Sequence, residues 1–594
     1  MSKGPERSSA PVYVTDMDRC QPQSRLSRKG KLSRWRLIDY EAEDFSGVFL
    51  RAGPETAAGE VTYPLQVQGW HDVYIGLFNT PFRPFRGQRV WAKLKEDSAY
   101  SLIFLPAPGM EGGQVVEDVY WKTTDLTGQS VSFKQLCREK VPSGETGRST
   151  CENVWIAYIK LVPLGEEEIR REKADEERMD RKRLVATQDV GTGIVVDSEP
   201  GTVRDLLENY RGTDFGSIYW EAAAGDLCSY FTQIGRMCTK QHLEIDDYSL
   251  FEFRRLVENW TEYDQKGIDP FQIAVDYAHE LGMEFHAAYR FAEGMGPFHF
   301  SPPFEEVNEG GYYQEHPELR AVRRDGSQAP RISLSFPETR RYLVSLFREM
   351  ASYPVDGICP LFNRRPPYVE YEAPLVESFR KEYGEDPREL DEKDPRWLSH
   401  RAEVVSDFMR DLKQMLGEVS REQGQTKKLT AWVFGRQEEN LYWGLDVERW
   451  IREGLVDTIV PYTSAEGLYS WELAWEEPSD VKYWLDLTRG TSCQLVLNIM
   501  PRHLTPEQYR RKAHQLYGLG VESLVFWDTA KVWGPEFDAH SAYFWGHGTS
   551  LSDLRRLGHE EELKAWVNAG EPVLKRTTSR LKKVGDWEMT FIAE

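Results

Sequence analysis

Carboxylates stand beside aromatic residues at several points in the second half of the sequence. Glu221 follows Tyr219 and Trp220, and Asp528 follows Trp527. Glycoside hydrolysis needs one protonated carboxyl group for the leaving oxygen and one carboxylate that acts as a nucleophile or as a base for water. Aromatic rings offer flat faces on which the apolar faces of sugar rings can stack. This combination of residue types favours chemistry on a glycosidic bond.

Strand-like runs alternate with helical stretches after residue 190. The predicted strands cover 193–198, 216–222, 283–291, 355–362, 429–435, 456–462, 493–499 and 523–529. Strands that alternate with helices predict a parallel sheet, and eight is the number that closes a (β/α)8 TIM barrel of the α/β class. An open doubly wound sheet is the alternative. However, no G-x-G-x-x-G follows the first predicted strand and no Walker A motif is present.

The active face of such a barrel is built at the carboxyl ends of its strands. This rule places the carboxylates Glu221 and Asp226 after strand two, and Asn363 directly after strand four. The predicted substrate-binding residues on this rim are His286, Tyr289, Arg290, Arg364, Tyr371, Trp432, Arg436, Tyr462, Asn498 and Trp527. For any single rim carboxylate the alternative is an ion pair with a neighbouring arginine, and for each histidine it is a structural role.

Several other kinds of chemistry are disfavoured by the motifs. The sequence contains no G-x-S-x-G nucleophile elbow and no H-E-x-x-H, and its histidines and cysteines lack the spacing of metal ligands. We therefore expect neither a cofactor nor a metal. The formal net charge of −22 makes nucleic acid an unfavourable partner. No apolar run approaches the ~20 residues of a membrane span, so we expect no membrane partner either.

The composition divides the chain into five parts. We predict a disordered leader over residues 1–33, an all-β sandwich of the jelly-roll kind over 34–164 and a charged helical linker over 165–189. The barrel then occupies 190–560, and a C-terminal helix with final strands over 561–594 packs on the other domains. The tryptophans of the sandwich, Trp70, Trp121 and Trp155, either bind glycan or fill its core.

The seven cysteines are scattered, which suits free thiols in a reducing compartment. Cys137 and Cys151 could pair across a loop, but we expect buried thiols. The polar, basic N-terminus has no apolar region of a secretory signal, so the chain as written is expected to be cytoplasmic. It would be secreted or periplasmic if a signal has been removed.

Several segments of the second half resemble the glycosyl-hydrolase-like family 10 group, which consists of bacterial (β/α)-barrel proteins described as glycoside hydrolases. The similar segments are VDGICPLFNRRPPYVEYEAPLVESFRKEYGEDPREL, HPELRAVRRDG, GLDVERWIREGLVDTIVPY, SLVFWDT and RRLGH. The resemblance covers roughly residues 190–560. It implies a class of activity and not a particular substrate. The N-terminal part looks, more weakly, like a carbohydrate-binding sandwich.

The resemblance also suggests roles for particular residues. Tyr371 and Glu372 match a Tyr-Glu-Pro-like segment of the group, and Asp528 matches the acid of its last strand. On this basis Glu372 is the expected general acid/base and Asp528 the expected nucleophile or base, with Glu221 and Asp226 in reserve. One departure is that no acid follows the Asp-Gly of strand four, where better-known barrel enzymes carry one.

Two further functions remain open at this stage. A barrel without the strand-four acid could be a carbohydrate-binding protein that does not hydrolyse its ligand. A metal-dependent sugar isomerase or lyase could use His286, Glu221 and Asp226. The sugar, the linkage and the stereochemical outcome are not determined by the sequence, and a homo-oligomer also remains open.

Overall fold

The structure is a computed structural model. It describes residues 10–53, 56–79, 88–105, 115–136, 151–188, 198–237, 251–291, 311–363, 366–462, 475, 477–499, 504–526, 551–572, 574 and 576–589. Three of the predicted site residues, Arg364, Trp527 and Asp528, lie outside these ranges.

The N-terminal region is an all-β sandwich. Its strands are β1 (Val12–Val14), β2 (Leu26–Ser27), β3 (Trp35–Ala42), β4 (Ser46–Ala52), β5 (Val61–Pro64), β6 (Trp70–Asn79), β7 (Gln88–Leu94), β8 (Ser101–Leu105), β9 (Val115–Asp125), β10 (Ser130–Gln135) and β11 (Val154–Pro163). The smaller sheet has the order β5-β10-β7-β8, and the remaining strands belong to a nine-stranded sheet. Alternating apolar side chains from both sheets, such as Val73, Ile75, Val131 and Phe133, form the core between them.

The C-terminal segment returns to this sandwich. Strands β24 (Thr578–Val584) and β25 (Trp587–Glu588) join the larger sheet, where β24 pairs antiparallel with both β9 and β3. The strand thus bridges two strands that lie far apart in the order of the sheet, and it curls the sheet around a second small core that contains Leu581.

The start of the chain differs from the disordered leader expected over residues 1–33. Strand β1 pairs with β11, and short 3-10 helices span Met17–Arg19 and Gln23–Arg25. Met17 and Cys20 are fully buried in the sandwich core. Two apolar side chains within a polar, basic segment are therefore enough to anchor it. A segment this short has no hydrophobic periodicity from which the burial of these two side chains could be predicted.

The second region is a closed eight-stranded parallel barrel, which confirms the predicted fold class. Its strands are β12 (Leu184–Gln188), β13 (Phe215–Ala224), β16 (Glu284–Arg290), β19 (Gly357–Leu361), β20 (Lys428–Phe434), β21 (Thr458–Tyr462), β22 (Gln494–Asn498) and β23 (Ser523–Val525). Each pairs parallel with the next, and β12 pairs with both β13 and β23, so the sheet closes. Short extra strands lie in two of its loops: β14 (Leu227–Cys228) and β15 (Arg236–Met237), then β17 (Arg320–Val322) and β18 (Gln328–Ile332).

The helices surround the barrel and follow its strands. They span Pro200–Glu208, Phe251–Lys266, Pro270–Glu280, Tyr312–Glu315, Pro337–Ser352, Ala373–Tyr383, Pro395–Gln423, Gln437–Tyr442, Val447–Arg452, Pro478–Thr488, Pro506–Gly518 and Glu560–Asn568, with 3-10 turns at Pro317–Leu319, Pro387–Glu389 and Leu551–Leu554. Many begin with proline, which suits the first helical position because its missing N–H would have no partner there. Thr505 and Asp446 cap the helices Pro506–Gly518 and Val447–Arg452: Thr505 Oγ1 accepts from Gln508 N, and Asp446 accepts from Arg449 N. No helix in the described ranges has the length and apolar character needed to cross a membrane.

The first barrel strand is not where the sequence placed it. The linker expected over residues 165–189 supplies both the exposed helix Glu166–Glu176 and the first strand, β12. The run 193–198, predicted as that strand, falls almost entirely outside the described residues. The charged residues that precede β12 hide its short apolar pattern.

The cysteines also differ in part from the expectation. Cys20, Cys228, Cys359 and Cys493 are free and buried, but Cys151 is disulfide-bonded. The expectation of free thiols is therefore wrong at Cys151, whose partner lies outside the described residues.

Candidate active site

The mouth of the barrel is defined by strand register. Arg290 of β16 pairs with Leu361 of β19, and Leu361 pairs with Trp432 of β20, so these three residues lie at one level. Tyr462 of β21 pairs with Phe434, which lies two residues beyond Trp432 towards the carboxyl end of β20. Since paired residues of parallel strands point to the same side, their side chains form layers inside the barrel.

An ion pair joins the second and third strands just below this level. Glu221 pairs in register with Ala288, and Arg290 Nη2 donates to Glu221 Oε2 over 2.6 Å. Only 2% of Glu221 is exposed, and the side chain of Arg290 is largely buried. Close contact with a guanidinium favours the ionised form of a carboxyl group. The barrel therefore holds a buried glutamate, paired with an arginine, near its mouth.

Two buried amides add unused hydrogen-bonding groups at the strand ends. Asn363 follows β19 and is fully buried, and neither its Oδ1 nor its Nδ2 has a hydrogen-bond partner among the described residues. Asn498 ends β22. Its Oδ1 accepts from Trp475 Nε1 over 3.2 Å, but its Nδ2 has no partner in the described part of the chain. A buried polar group without a partner costs about 1–3 kcal/mol. Such groups at the carboxyl ends of barrel strands suit a polar ligand that supplies the missing bonds.

Aromatic side chains fill the space beside these amides. Trp432 and Tyr462 are both buried, with ring centroids 5.2 Å apart, and Tyr219 lies 6.1 Å from Trp432 further down. The end of β20 is fixed by Asn440, whose side chain accepts from Phe434 N and donates to Phe434 O. The mouth thus combines a carboxylate, a guanidinium, amides and aromatic rings.

Asp226 lies beyond strand β13 and is held by protein groups. Arg236 donates to it from Nε and Nη2 at 3.0 and 2.9 Å, and the backbone N–H of Tyr312 donates over 2.7 Å. A Cβ on Gly311 would lie 2.4 Å from Asp226 Oδ2, so the tight approach requires glycine there. Asp226 therefore forms an ion pair with an arginine, which was the alternative to a catalytic role for a rim carboxylate. Its contacts with Arg236 and Tyr312 also join two loops.

Glu372 occupies a different position, at the start of the helix Ala373–Tyr383. It is fully buried, and its carboxylate accepts from the backbone N–H groups of Val322 and Glu370. Burial raises the pKa of Glu372, and these backbone donors oppose the rise. The described hydrogen-bond partners of the Glu372 carboxylate are the backbone N–H groups of Val322 and Glu370 and the side chain of Ser333, and none of them is Glu221.

Glu370 is the more strongly perturbed carboxyl of this loop. Burial raises its pKa to about 7, and the charge of Glu372 adds to the rise. Its Oε2 is buried without a hydrogen-bond partner. Sequence reasoning singled out Glu372 and missed Glu370, although the two are separated by one residue.

The remaining predicted residues are spread over the barrel. His286 pairs with Gly357, the first residue of β19, so it lies near the amino end and not at the mouth as expected. It hydrogen-bonds Glu284, and this bond is the main reason that the pKa of Glu284 falls to about 2. Arg436 begins the helix Gln437–Tyr442 and lies 3.6 Å from Asp480.

The rings of the predicted site residues Tyr289 and Tyr371 pack against the surrounding helices. The ring of Tyr289 packs on Phe347, and its hydroxyl meets that of Tyr313 at 2.7 Å. Tyr371 packs on Trp397 at 5.0 Å. The outward direction of Tyr289 could have been predicted from strand alternation, because Tyr289 is one residue out of phase with His286 and Arg290.

Trp475 is a residue of the mouth that sequence reasoning missed. It is buried with a positive φ of 59°, and its Nε1 donates to the backbone oxygen of Asn498 over 2.8 Å. Lys512 Nζ in turn donates to its carbonyl oxygen over 3.0 Å. Trp475 follows the sixth strand and reaches the end of the seventh, so only the folded chain reveals its role.

The metal-dependent alternative needs His286, Glu221 and Asp226 together. In the structure they take separate partners, which are Glu284, Arg290 and Arg236. The described residues contain no group of three or more metal-ligating side chains. The ligand set on which that alternative rests is therefore not assembled.

Comparison with known families agrees with the resemblance seen in the sequence. Residues 250–473 match the model of the family described as glycosyl hydrolase-like 10, which confirms that resemblance over this segment. The segment runs from the helix before β16 to the loop after β21. The match supports a glycosidase-like function for the barrel. None of the curated proteins compared with the chain matches it.

Solved structures with a similar chain path include glycoside hydrolases. A β-galactosidase from the psychrophilic Marinomonas ef1 matches with 11% identity and a TM-score of 0.40, over 66% of this chain and 61% of the enzyme. The match thus spans less than two thirds of that enzyme. The catalytic domain of a β-amylase from Paenibacillus polymyxa has 10% identity and a TM-score of 0.37, over 62% of this chain and 98% of the domain. An α-galactosidase from Thermus thermophilus has 10% identity and a TM-score of 0.31, over 85% and 90%. These values are too low to transfer the role of any residue.

Proposed function

We propose that this chain, which matches the glycosyl hydrolase-like 10 model over residues 250–473, cleaves a glycosidic bond at the mouth of its barrel. The observation that carries the proposal is the buried Glu221–Arg290 pair at the carboxyl ends of β13 and β16, next to unpartnered amides. Hydrolysis of a glycoside needs a carboxylate in such a place, and amides can bind the hydroxyl groups of a sugar.

In this mechanism Glu221 is the ionised carboxylate that attacks the anomeric carbon or activates a water. Arg290 positions it and keeps it ionised. Asn363 and the Nδ2 of Asn498 bind sugar hydroxyls, and the buried pair Trp432 and Tyr462 shapes the apolar side of the site. The second carboxyl, which protonates the leaving oxygen, is assigned to Asp528 from its place at the end of the last strand in the sequence.

Glu372 is the competing candidate for the acid, and its raised pKa would suit that role. Its contacts favour a structural role, since both the hairpin β17–β18 and its own loop donate backbone hydrogen bonds to it. The two assignments differ in what Glu372→Gln does. An acid would lose turnover with the fold intact, whereas a structural carboxylate would lose stability first.

The test is the release of product from a panel of aryl glycosides and oligosaccharides. Glu221→Gln should lower kcat by roughly 10²–10⁴-fold, the usual contribution of a catalytic acid or base, in a variant that circular dichroism shows to be folded. Glu284→Gln is the matched control, because it changes another ion-paired glutamate of a barrel strand that lies at the opposite end. Full activity in Glu221→Gln would refute the assignment.

A carbohydrate-binding protein without hydrolysis is the second candidate. It is favoured by the fourth strand, in which no acid follows the Asp356-Gly357 pair where better-known barrel enzymes carry one. In that case some oligosaccharide would raise the melting temperature of the wild-type protein while no glycoside of the panel is cleaved. This outcome would replace the hydrolase proposal.

A further inference from the structure

A cavity of about 280 Å³ lies between the sandwich and the amino end of the barrel. Strands β8 and β9 form one wall, and the helix Glu166–Glu176 with the segment 552–559 forms the other. Arg181 and Thr213, which also line it, precede the first two barrel strands, so the cavity is at the opposite end from the mouth. Its size is close to the lower limit of ~300 Å³ for small-molecule sites, which occur preferentially between domains.

A donor without a partner lies in the sandwich wall of this cavity. Trp121 of β9 is 9% exposed, and its indole Nε1–H is buried with no hydrogen-bond partner in the described ranges. A buried tryptophan N–H usually finds an acceptor. The ring itself packs in the sandwich core, so the missing acceptor is the feature that core packing does not explain.

Charged groups without ion-pair partners lie around the same space. The guanidinium carbon of Arg555 lies over Tyr120, 3.9 Å from the ring centroid, and in the described part of the chain Arg555 pairs with no carboxylate. Glu172 and Glu176 stand one turn apart on the helix of the other wall, and neither forms an ion pair with a described residue. By contrast, Lys122 and Asp97 in the lining pair with each other at 2.7 Å.

Unpaired donors and acceptors therefore belong to residues that line the same cavity. An anion that bound Arg555 would also meet Glu172 and Glu176, and a cation would meet Arg555. A hydroxyl group both donates and accepts, so a molecule with several hydroxyls can use both kinds of group at once. The hydroxyls of Thr123 and Thr124 add further groups of this kind to the lining.

We propose that this junction cavity binds a small neutral carbohydrate, of one or two sugar units, through Trp121 Nε1, Arg555 and the carboxylates of Glu172 and Glu176. The site goes beyond the proposed hydrolysis, because it is separate from the barrel mouth and uses none of its residues. Binding there would also tie the sandwich to the barrel, since the ligand contacts both.

Calorimetric titration of the full chain tests the proposal. The probes are glucose, galactose, mannose, N-acetylglucosamine, cellobiose and lactose, with inorganic phosphate and glycine as charged probes. Trp121→Phe, which removes the N–H but keeps an aromatic ring, and Glu172→Gln should each weaken binding of the sugar about tenfold or more. Trp155→Phe and Glu167→Gln are the matched controls: the first changes a sandwich tryptophan of another core, the second an exposed glutamate of the same helix.

A second comparison distinguishes binding at the junction cavity from binding at the barrel mouth. Binding to the junction cavity should persist in Glu221→Gln, and turnover should persist in Trp121→Phe. Sugar binding that is lost in Glu221→Gln but unchanged in Trp121→Phe would overturn the proposal in favour of the mouth. Binding of phosphate or glycine in place of sugars, or no binding of any sugar, would also overturn it.

Discussion

At the amino end of the barrel buried charges meet protein partners, whereas at the carboxyl end buried amides are left without them. Asp214, fully buried before β13, accepts from Arg181 Nη1 at 2.9 Å, from Gly558 N at 2.8 Å and from His559 Nδ1 at 3.0 Å. The other ring nitrogen of His559 lies 2.8 Å from Asp175. Asn363, at the opposite end, has no described hydrogen-bond partner for either of its side-chain groups.

The difference separates groups that hold the fold from groups that await a ligand. The amino-end cluster of Asp175, Arg181, Asp214 and His559 joins the linker helix, the start of β13 and the C-terminal segment. Its polar groups therefore bond one another and stabilise the fold. The mouth keeps a charged pair and free amides at a cost in stability, and such a cost is common at sites whose function requires it. Each prediction below changes one side of this comparison.

The largest effect is expected at the amino end. Asp214→Ala leaves Arg181 and His559 buried without their shared carboxylate, which should lower the free energy of unfolding by about 3–5 kcal/mol. Asp180→Ala, at an exposed residue that pairs with Arg178, should leave the free energy of unfolding nearly unchanged. Chemical denaturation measures both. Equal, small effects would mean that the buried cluster is not a structural clamp.

A smaller effect should appear in the pH dependence of the same cluster. Burial lowers the pKa of His559, but its bonds and charge interactions with Asp214 and Asp175 outweigh this and raise it above the ordinary value of about 6.5. The stabilisation is therefore complete below pH 6.5 and is lost as the pH rises through the folded-state pKa.

Melting temperatures at pH 5.5 and pH 8.5 test this prediction. The wild-type protein should lose more stability over this interval than His559→Gln, in which the group no longer titrates. His316→Gln, at a more exposed histidine paired with Glu318, should behave like the wild type. A wild-type difference no larger than that of His559→Gln would refute the raised pKa.

The smallest change in stability, and one of opposite sign, is expected at the mouth. Asn363→Leu removes two unsatisfied polar groups and should raise the free energy of unfolding by about 1 kcal/mol while turnover is lost. Asn440→Leu, the same change at an amide that bonds Phe434 on both sides, should lower it by about 1–3 kcal/mol. A loss of stability in both variants would show that Asn363 is structural.

The sequence was sufficient to predict the barrel but not the position of each residue along the barrel axis. Apolar runs located strands β13 to β23 because a parallel strand buried on both faces is a continuous apolar segment. The first strand was missed because β12 is five residues long and follows a charged helix. His286 was expected at the mouth, but register with Gly357 places it near the amino end, and register depends on neighbouring strands that one sequence does not reveal.

The same limit applies to the site. Glu221 and Arg290 stand near the ends of predicted strands, and the rule that barrel sites form at the carboxyl ends of strands placed both on the rim. The partnership of Asp226 with Arg236, and the burial of Glu372 under backbone donors, arise from loops whose paths are set by tertiary contacts. Trp475 could not be assigned for the same reason, since it reaches Asn498 from another loop.

The most direct test of the central claim, that Glu221 is the catalytic carboxylate of the mouth, is azide rescue of Glu221→Ala on an aryl glycoside that the wild type cleaves. Azide can enter the space of the missing side chain and attack the anomeric carbon, while the phenolate leaves. We predict that Glu221→Ala is inactive alone and that azide restores phenol release with formation of a glycosyl azide. An active Glu221→Ala, or a folded and inactive variant that azide does not rescue, would contradict the claim.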